Sequence, residues 1–574
     1  DREPEFSYGF TARAIYKNTN YDLRKYKRIQ LFTHAEDVIN NNQELKNGEL
    51  TVFLRLGSDY KNNYYEYEIP LVVTPEGDYS DGNSNHRNIV WPQNNMFDFP
   101  LELLKNVKLE RNREKRKAGS NVSYTTLFSS YDPDKKNNKV SVIGNPSLSD
   151  VYVIMIGVRN NSRIIRSGEI WVNELRLTDF DEEGGWAAQG NLNIALSDLG
   201  TLNVMGRKET SGFGALDQSL MERRSDDYYT YSIAANVDLG KLLPEKAKVS
   251  LPLYYSYSNQ TTTPKYDPFD QDVTLKESLN LVETKQERDS INSLAQEKST
   301  TKSISLNNIR VNIQSKTPMP YDPANFTFGY SYSQTEVKNP STVYDLTKNY
   351  NATMNYTYTP LAKAWEPFKK KKGKSGASKY LKSLEFNYLP SNIAFNSKIL
   401  RYYTETVLRD IDSYSLGGDN NSEFLSWSQS FLWDRDFNIN WDFTRNLKFS
   451  FQSGTRAEIE EPYLQVNKKL NRDAYEIWRD SVMHSIKNLG TPLSYRQVVK
   501  ASYELPFKNI PVMDWASSNI TYTSKYDWDR GAKVEGVEIG NVIANNITID
   551  FKNKLDLTSL YNKIGYLKKV NERF

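Results

Sequence analysis

Between positions 325 and 335 the chain reads NFTFGYSYSQT, with Phe326, Phe328, Tyr330 and Tyr332 at every second place and Thr327, Gly329, Ser331 and Ser333 between them. Side chains of a strand alternate between its two faces, so these aromatics form one stripe only as a β-strand; a helix would scatter them. The pattern returns at Tyr350, Ala352, Met354, Tyr356 and Tyr358 with Asn351, Thr353, Asn355 and Thr357 interleaved, and at Tyr229, Tyr231, Ile233, Ala235 and Val237 with Thr230, Ser232, Ala234 and Asn236 interleaved.

From Trp186 onward this alternation predicts long strands near 186–197, 200–208, 228–238, 247–258, 303–315, 324–336, 349–359, 381–389, 392–406, 427–443, 446–457, 494–507, 517–528 and 541–554. Most reach the roughly 9 to 11 residues of a tilted membrane-crossing strand, against roughly 5 to 6 in an ordinary globular sheet. Tight connections at 198–200, 240–246 and 317–323 are expected to alternate with long ones at 209–227, 259–302 and 337–348, an asymmetry typical of outer-membrane barrels. That parity places the Lys-rich connection after Pro360 on the short-turn, periplasmic side. Two long loops are expected to hold amphipathic helices, near 275–298 and 468–489. The second gathers Leu470, Ala474, Ile477, Trp478, Val482, Ile486 and Leu489 on one face and stops at Gly490. Such helices cap a barrel rim or pack on neighbouring loops, with partner docking the alternative.

The first 180 residues read differently. Shorter strands, ELTVFLRLGS (49–58), YYEYEIPL (64–71), VYVIMIGVR (151–159) and EIWVNELRL (169–177), are divided by polar loops and one helix, DFPLELLKNVKLE, for which Asp98 is the expected N-cap. The apolar run VYVIMIGV predicts a central strand covered on both faces. Residues 1–180 are therefore expected to form a soluble, jelly-roll-like β-sandwich, and 186–574 the long strands and loops of a partial barrel.

Composition narrows the class. The 574 residues carry 74 basic and 71 acidic side chains, a net charge of +3, so bulk electrostatics predicts no nucleic-acid partner. Only 38% of residues are hydrophobic, yet 13% are aromatic, with 39 Tyr, 24 Phe and 10 Trp, so aromatics rather than Leu and Val carry the pattern. No apolar run approaches the roughly 18 residues of a spanning helix, and the mean hydropathy is −0.69. A barrel remains open, because its strands are apolar only at alternate positions. The absence of Cys excludes disulfides and thiolate metal sites. The chain starts at Asp1 without an initiator Met or a signal-like segment, and is expected to be a mature chain or an internal piece of a larger one.

Catalytic chemistry finds no foothold. His34, His86 and His484 lack ligand spacing or a paired carboxylate. The GKS at 373–375 has Phe368 where a phosphate loop needs glycine. Asp132 and Asp134 sit beside Lys135 and Lys136 without the glycine of a calcium loop. The pairs Glu182/Glu183 and Glu460/Glu461 have nothing beside them to split their pKa values. The basic runs at 111–117 and 369–374 are expected to be solvated loops. Neither an enzymatic activity nor a cofactor or metal is expected.

Two environments satisfy the long strands. A soluble sandwich buries the aromatic face against a second sheet, whereas a membrane barrel turns it to lipid and wets the polar face. Strand length favours the barrel, in which Phe326, Phe328, Tyr330, Tyr332, Tyr350, Met354, Tyr356, Tyr358, Tyr229, Tyr231 and Ile233 face lipid. Thr327, Ser331, Ser333, Asn351, Thr353, Asn355, Thr230 and Ser232 then face the lumen.

The segment SGEIWVNELRLTDFDEEGGWAAQGNLNIALSDLG (167–200), carrying Trp171, Asn173, Glu174, Leu175, Arg176 and Trp186, resembles the SprA/Sov family of Bacteroidetes. So do SGFGALDQSLMERRSDD (211–227), LPEKAKVSLPLYYSYS (243–258) and MPYDPANFTFGYSYS (319–333). These are the outer-membrane translocons of the type IX secretion system, linked to gliding motility. The resemblance implies an all-β protein, part of a very large antiparallel transmembrane barrel of roughly 36 strands preceded by the soluble domain. It further implies passage of folded cargo, bearing a type IX C-terminal signal domain, from periplasm to cell surface. A PorV-type shuttle barrel, a plug protein and outer-membrane lipid are the implied partners. The alternatives are another outer-membrane transport barrel, such as a nutrient receptor or a lipopolysaccharide-assembly protein, and a secreted β-rich adhesin.

Overall fold

The computed structural model describes residues 12–573 apart from 39–43, 116, 118, 163, 220–221, 281, 283, 362, 370–375, 383, 410–422, 466–470, 508–509, 511 and 535–536. The GKS at 373–375, most of the basic run at 369–374, and Leu470 therefore lie outside the described residues.

The first nine strands make a lobe: β1 (Ala12–Tyr21), β2 (Tyr26–Asp37), β3 (Leu50–Gly57), β4 (Tyr64–Pro70), β5 (Phe97–Pro100), β6 (Phe128–Tyr131), β7 (Lys139–Ile143), β8 (Val151–Asn160) and β9 (Gly168–Phe180). A six-stranded sheet, β1-β8-β3-β4-β7-β6, and a three-stranded one, β5-β2-β9, enclose the core. Leu54 and Leu56 of β3, Tyr65, Tyr67 and Ile69 of β4, Ile29 and Leu31 of β2, and Phe97 and Phe99 of β5 meet there, with Leu104 and Val107 from the helix Glu102–Lys115. Tyr67 stacks on Phe99 at 3.9 Å. Strand β8 is an inner strand, between β1 and β3, with one face buried and the other partly open at Tyr152. Ile154 and Ile156 pack on the core, while across the sheet Met155 and Gly157 lie opposite Arg55 and Phe53. Asp98 is not a helix cap. The alternation Phe97, Phe99 pairs this segment with β2 as a strand, and Asp98 instead accepts a 2.7 Å hydrogen bond from Arg28.

Beyond the lobe lies one antiparallel sheet of fourteen strands. Its members are β10 (Ala187–Ala195), β11 (Gly200–Glu209), β12 (Asp226–Asp238), the two-residue β13 (Val249–Ser250), β14 (Pro252–Pro264), then β17 (Glu297–Val311), β18 (Phe326–Asn339), β19 (Thr342–Tyr358), β20 (Asn392–Arg409), β21 (Glu423–Trp441), β22 (Leu447–Glu458), β23 (Thr491–Leu505), β24 (Ala516–Asp529) and β27 (Val542–Leu555). Two small hairpins sit in its loops: β15 (Tyr266–Asp267) with β16 (Asp270–Thr274), and β25 (Lys533–Val534) with β26 (Val537–Glu538). Apart from the spur β13, each strand pairs with its neighbours in chain order, the meander that antiparallel strands and local turns favour.

Three sequence expectations are corrected. The strand expected at 381–389 is absent; a helix (Gly376–Lys382) and the isolated bridges Trp365–Phe386 and Phe386–Thr444 stand in its place. The long loop expected at 337–348 is strand on both sides of a two-residue connection, because Gln334 and Thr335 keep pairing with Lys348 and Thr347 beyond the aromatic stripe. Short and long connections consequently do not alternate as regularly as expected. The connection 359–391 is long, although it lies at the end opposite the lobe. Finally, the helix in the last long loop is Arg472–Lys487, capped by the Asn471 carboxamide on the Ala474 N–H at 3.0 Å. Its buried positions are Val482 and Ser485, while Ile477 and Leu489 of the expected apolar face are exposed.

The loop between β14 and β17 fastens the lobe to the sheet. Lys108, fully buried in the lobe, donates to Asp270 at 2.7 Å, Asp272 at 3.2 Å and the Pro146 carbonyl at 2.9 Å. Asp272 also accepts from the Tyr65 hydroxyl, from Ser147 Oγ at 3.2 Å and from the Leu148 N–H at 2.6 Å. Burial, then the Asp272 carboxylate, pushes the Tyr65 phenol well above its ordinary value. Two more exposed bridges flank this centre: Lys105 to Glu277 at 2.9 Å, and Lys265 to Asp181 at 2.8 Å. Burial alone would raise the Glu277 and Asp181 carboxyls. Hydrogen bonds from Lys105 and Lys265 respectively, joined in Glu277 by those from Thr274, outweigh it and hold both below the usual range.

Removing one partner of a buried ion pair strands the other, at about 3–5 kcal/mol. Asp272→Ala in the full chain is therefore expected to lower the thermal midpoint of the lobe and to open 265–280 to limited proteolysis. The pH dependence has a definite sign: carboxyls whose folded pKa is depressed stabilise the docked state above their unfolded values, about 4. Protection factors against hydrogen exchange at 265–280 should stay high from neutral pH to about 5 and drop as pH falls through the lowered values.

Candidate functional site: a sheet with two faces

Because opposed residues of antiparallel strands share a face, the register sorts every side chain of the large sheet. One row runs Val237, Leu253, Leu306, Tyr330, Ala352, Ile399, Trp433 and Ala457 from β12 to β22, each opposite the next. From the far end of β21 the same face continues as Trp441, Phe449, Ala501, Tyr522 and Ile549, each opposite the next. The opposite face has a row of seven hydroxyls: Ser232, Ser258, Thr301, Thr335, Thr347, Thr404 and Ser428. Two of its pairs, Thr301 with Thr335 and Thr347 with Thr404, lie at 3.3 and 3.5 Å.

The aromatics singled out from the sequence meet on the first face. Phe326 packs on Tyr356 with ring centres 4.9 Å apart, Tyr332 on Tyr350 at 4.8 Å, and Tyr229 on Tyr231 at 5.6 Å. Phe328 lies opposite Met354, and Ile233 between Val204 and Tyr257. Tyr358 differs: it is buried at the end away from the lobe, its hydroxyl donating to the Pro318 carbonyl at 3.3 Å. Thr327, Ser331 and Ser333 face Asn355, Asn351 and Asn349 on the polar side, Thr353 lies opposite Gly329, and Thr230 and Ser232 lie there opposite Arg207 and Met205. The polar face also holds bidentate Arg456 and Asp434 at 2.8 and 3.0 Å, and a hollow of about 430 Å³ lined by Lys448, Glu504, Asn519 and Lys552.

The apolar face is uncovered over most of its area. Phe328 is 46% exposed, Ile549 68% and Phe551 58%. No second sheet lies across it among the described residues. Arginines interrupt it. Arg401 lies beneath the helix Arg472–Lys487, its guanidinium 4.9 Å from the Trp478 ring. Arg435, on β21, lies over the Trp433 ring at 4.7 Å. The sequence signal for both was available and not used: a cation at an otherwise apolar parity, as in Ile393, Phe395, Ser397, Ile399, Arg401.

The string of the lobe's last strand that carries the family resemblance sits on its surface. Trp171 is exposed beside His34, and Asn173 lies opposite Phe32. Glu174 adopts φ 57 where the β2–β9 register slips, a β-bulge, and pairs with Arg176. Leu175 is exposed, and Arg176 lies over Phe32 at 5.5 Å. Trp186 stands just before the large sheet, its backbone N–H donating to Thr210 Oγ1 at 2.9 Å. Among the described residues no group of three His, Asp or Glu gathers to hold a metal.

Fold and faces define an all-β protein built on an extended antiparallel sheet, apolar on one surface and hydroxylated on the other. Residues 3–279 match the family model SprA_N, described as motility related/secretion protein. The chain belongs to the SprA/Sov family and so to the motility and secretion proteins. No curated protein matches it. No helix among the described residues is long and apolar enough to cross a membrane.

An uncovered apolar face should bind amphiphile. Purified in detergent, the chain is expected to sediment with a bound detergent belt, and Ile547→Lys with Ile549→Lys should shrink that belt. A monodisperse, detergent-free particle in analytical ultracentrifugation would contradict this.

Proposed function

We propose that this sheet is an arc of an outer-membrane β-barrel whose apolar face meets lipid and whose hydroxylated face lines an aqueous conduit for protein secretion of type IX. The observation that carries the reading is the pair of opposed rows, apolar and polar, that persist in register across strand after strand, with no second sheet over the apolar one among the described residues. A soluble sandwich would leave Phe328, Ile549 and Phe551 no reason to stay uncovered. Lipid gives them one.

Barrel geometry follows from the backbone. Unpaired amides in hydrocarbon cost several kcal/mol each, and the outermost strands β10 and β27 are exposed on both faces. Further strands beyond each edge would close the ring, and diameter grows roughly linearly with strand number, so a wide ring admits folded cargo. The lobe joins the sheet at one end, beside the long connections 265–296 and 459–490, while the equally long 359–391 lies at the other. Cargo bearing a type IX signal domain would cross by diffusion through a wetted lumen, with no bond made or broken by this chain. A PorV-type shuttle barrel would receive it, and a plug protein would close the periplasmic mouth.

A lysine at a lipid-facing midplane position costs about 2–4 kcal/mol, and little on the wet side. Phe328→Lys and Tyr330→Lys are therefore expected to reduce membrane assembly several-fold, whereas Thr327→Lys and Ser331→Lys assemble normally, read by membrane fractionation. Since the chain lacks Cys, Thr353→Cys and Met354→Cys report the two faces directly. Aqueous maleimide should label the first in intact membranes and the second only after solubilisation; equal labelling refutes the orientation. Depleting the protein should leave type IX cargo in the periplasm.

A further inference from the structure

Where the helix Arg472–Lys487 leans on the apolar face, it leaves a cavity of about 500 Å³, within the roughly 300–1,000 Å³ of small-molecule sites. Its floor comes from β18 to β21, including Tyr330, Tyr350 and Ile399, and its wall from Trp478 and Val482 of the helix. Two cations line this otherwise apolar space, Arg401 and Lys348. The Arg401 Nε donates to Glu461 Oε1 at 2.8 Å, and the same oxygen takes the Trp478 indole N–H at 2.6 Å. That leaves Arg401 Nη2 buried and without a hydrogen-bond partner among the described residues. Glu461 Oε2 is likewise unpartnered, but Glu461 is not among the cavity's lining residues. Lys348 lies 5.8 Å from the centre of the Tyr403 ring, within electrostatic range of Glu405. The nearby Glu405 is already occupied, accepting from Tyr344, Tyr403 and Gln465.

Height on the sheet identifies what would fill this space. On β20 the outward residues are Ile393, Phe395, Ser397 and Ile399, then Arg401, Tyr403 and Glu405. The cavity thus straddles the edge of the apolar belt, where tyrosines and basic side chains meet headgroups. We propose that it is a binding site for an anionic phospholipid: the phosphate accepts from Arg401 Nη2 and Lys348 Nζ, and the upper part of an acyl chain lies along Tyr330, Ile399 and Val482. An arginine fork with an open N–H, set in an aromatic wall, matches phosphate geometry better than any neutral headgroup. This rests on the membrane reading given above.

The test uses the full chain reconstituted in nanodiscs of phosphatidylcholine with or without phosphatidylglycerol, with lipids retained after detergent exchange counted by native mass spectrometry. Wild type is expected to retain phosphatidylglycerol over phosphatidylcholine, and Arg401→Gln with Lys348→Gln to lose that preference about tenfold. Lys348→Gln alone, which breaks no ion pair among the described residues, should lower it several-fold even if the Arg401 variant misfolds. Arg435→Gln, which removes a cation from the same face outside the cavity, should leave it unchanged. Equal loss in Arg435→Gln, or no preference in wild type, overturns the proposal. So does inorganic phosphate protecting Trp478 fluorescence from quenching as well as phosphatidylglycerol does, since the site would then take a free anion. If the chain fails to enter nanodiscs at all, the membrane reading falls and the lipid site with it; normal incorporation without selectivity removes the lipid site alone.

Discussion

A β-strand can do only two things with its polar backbone and its side chains: bond sideways to its neighbours, and alternate up and down. The rest of this molecule follows from repeating that constraint in register. Once Tyr330 lies opposite Ala352 and Leu306, every second residue on each strand is committed to the same surface. A slip of one residue anywhere would exchange phenylalanine for threonine along a whole strand. The long aromatic and hydroxyl rows are therefore a register device as much as a surface. They hold strands of up to 19 residues in step without disulfides or a conventional core.

The lobe obeys the opposite economy. It packs Tyr67 on Phe99 and leucines between two sheets, and the carboxylate buried against it, Asp272 of the docking loop, has both oxygens hydrogen-bonded. Its outer face compensates Glu66 and Glu68 with Arg55 and Arg159, the arginines lying over the Phe53 ring. Two architectures thus share one chain. One removes apolar surface from water by itself, and the other leaves that surface bare.

Local pattern made most of the large sheet legible, because alternation needs only neighbours in sequence. It misled where a pattern lacked a partner. Leu384, Phe386 and Tyr388 alternate like a strand, but Phe386 finds only single bridges to Trp365 and Thr444. It misled again where charge hid a strand, as in the polar residues on either side of Pro340 that pair across a tight connection. Asp98 had the chemistry of a cap, but Phe97 and Phe99 drew the segment into the sheet with β2. Lys108 and Asp272 stand 164 positions apart, so nothing local couples them. The cavity beneath the helix Arg472–Lys487 was equally hidden, because its lining joins Trp478 and Val482 of the helix to residues of four strands distant in sequence.

The fastening of Asp272 to Lys108 has a mechanical corollary. The segment that carries Asp272 leaves β14 and re-enters the sheet as β17, and those two strands are adjacent partners. Any shear or separation between them must tug a carboxylate out of a dry, saturated pocket, or else drag the entire lobe along. The lobe is consequently a clamp on the spacing of two staves of the sheet, and a wall held this way yields elsewhere before it parts at that seam.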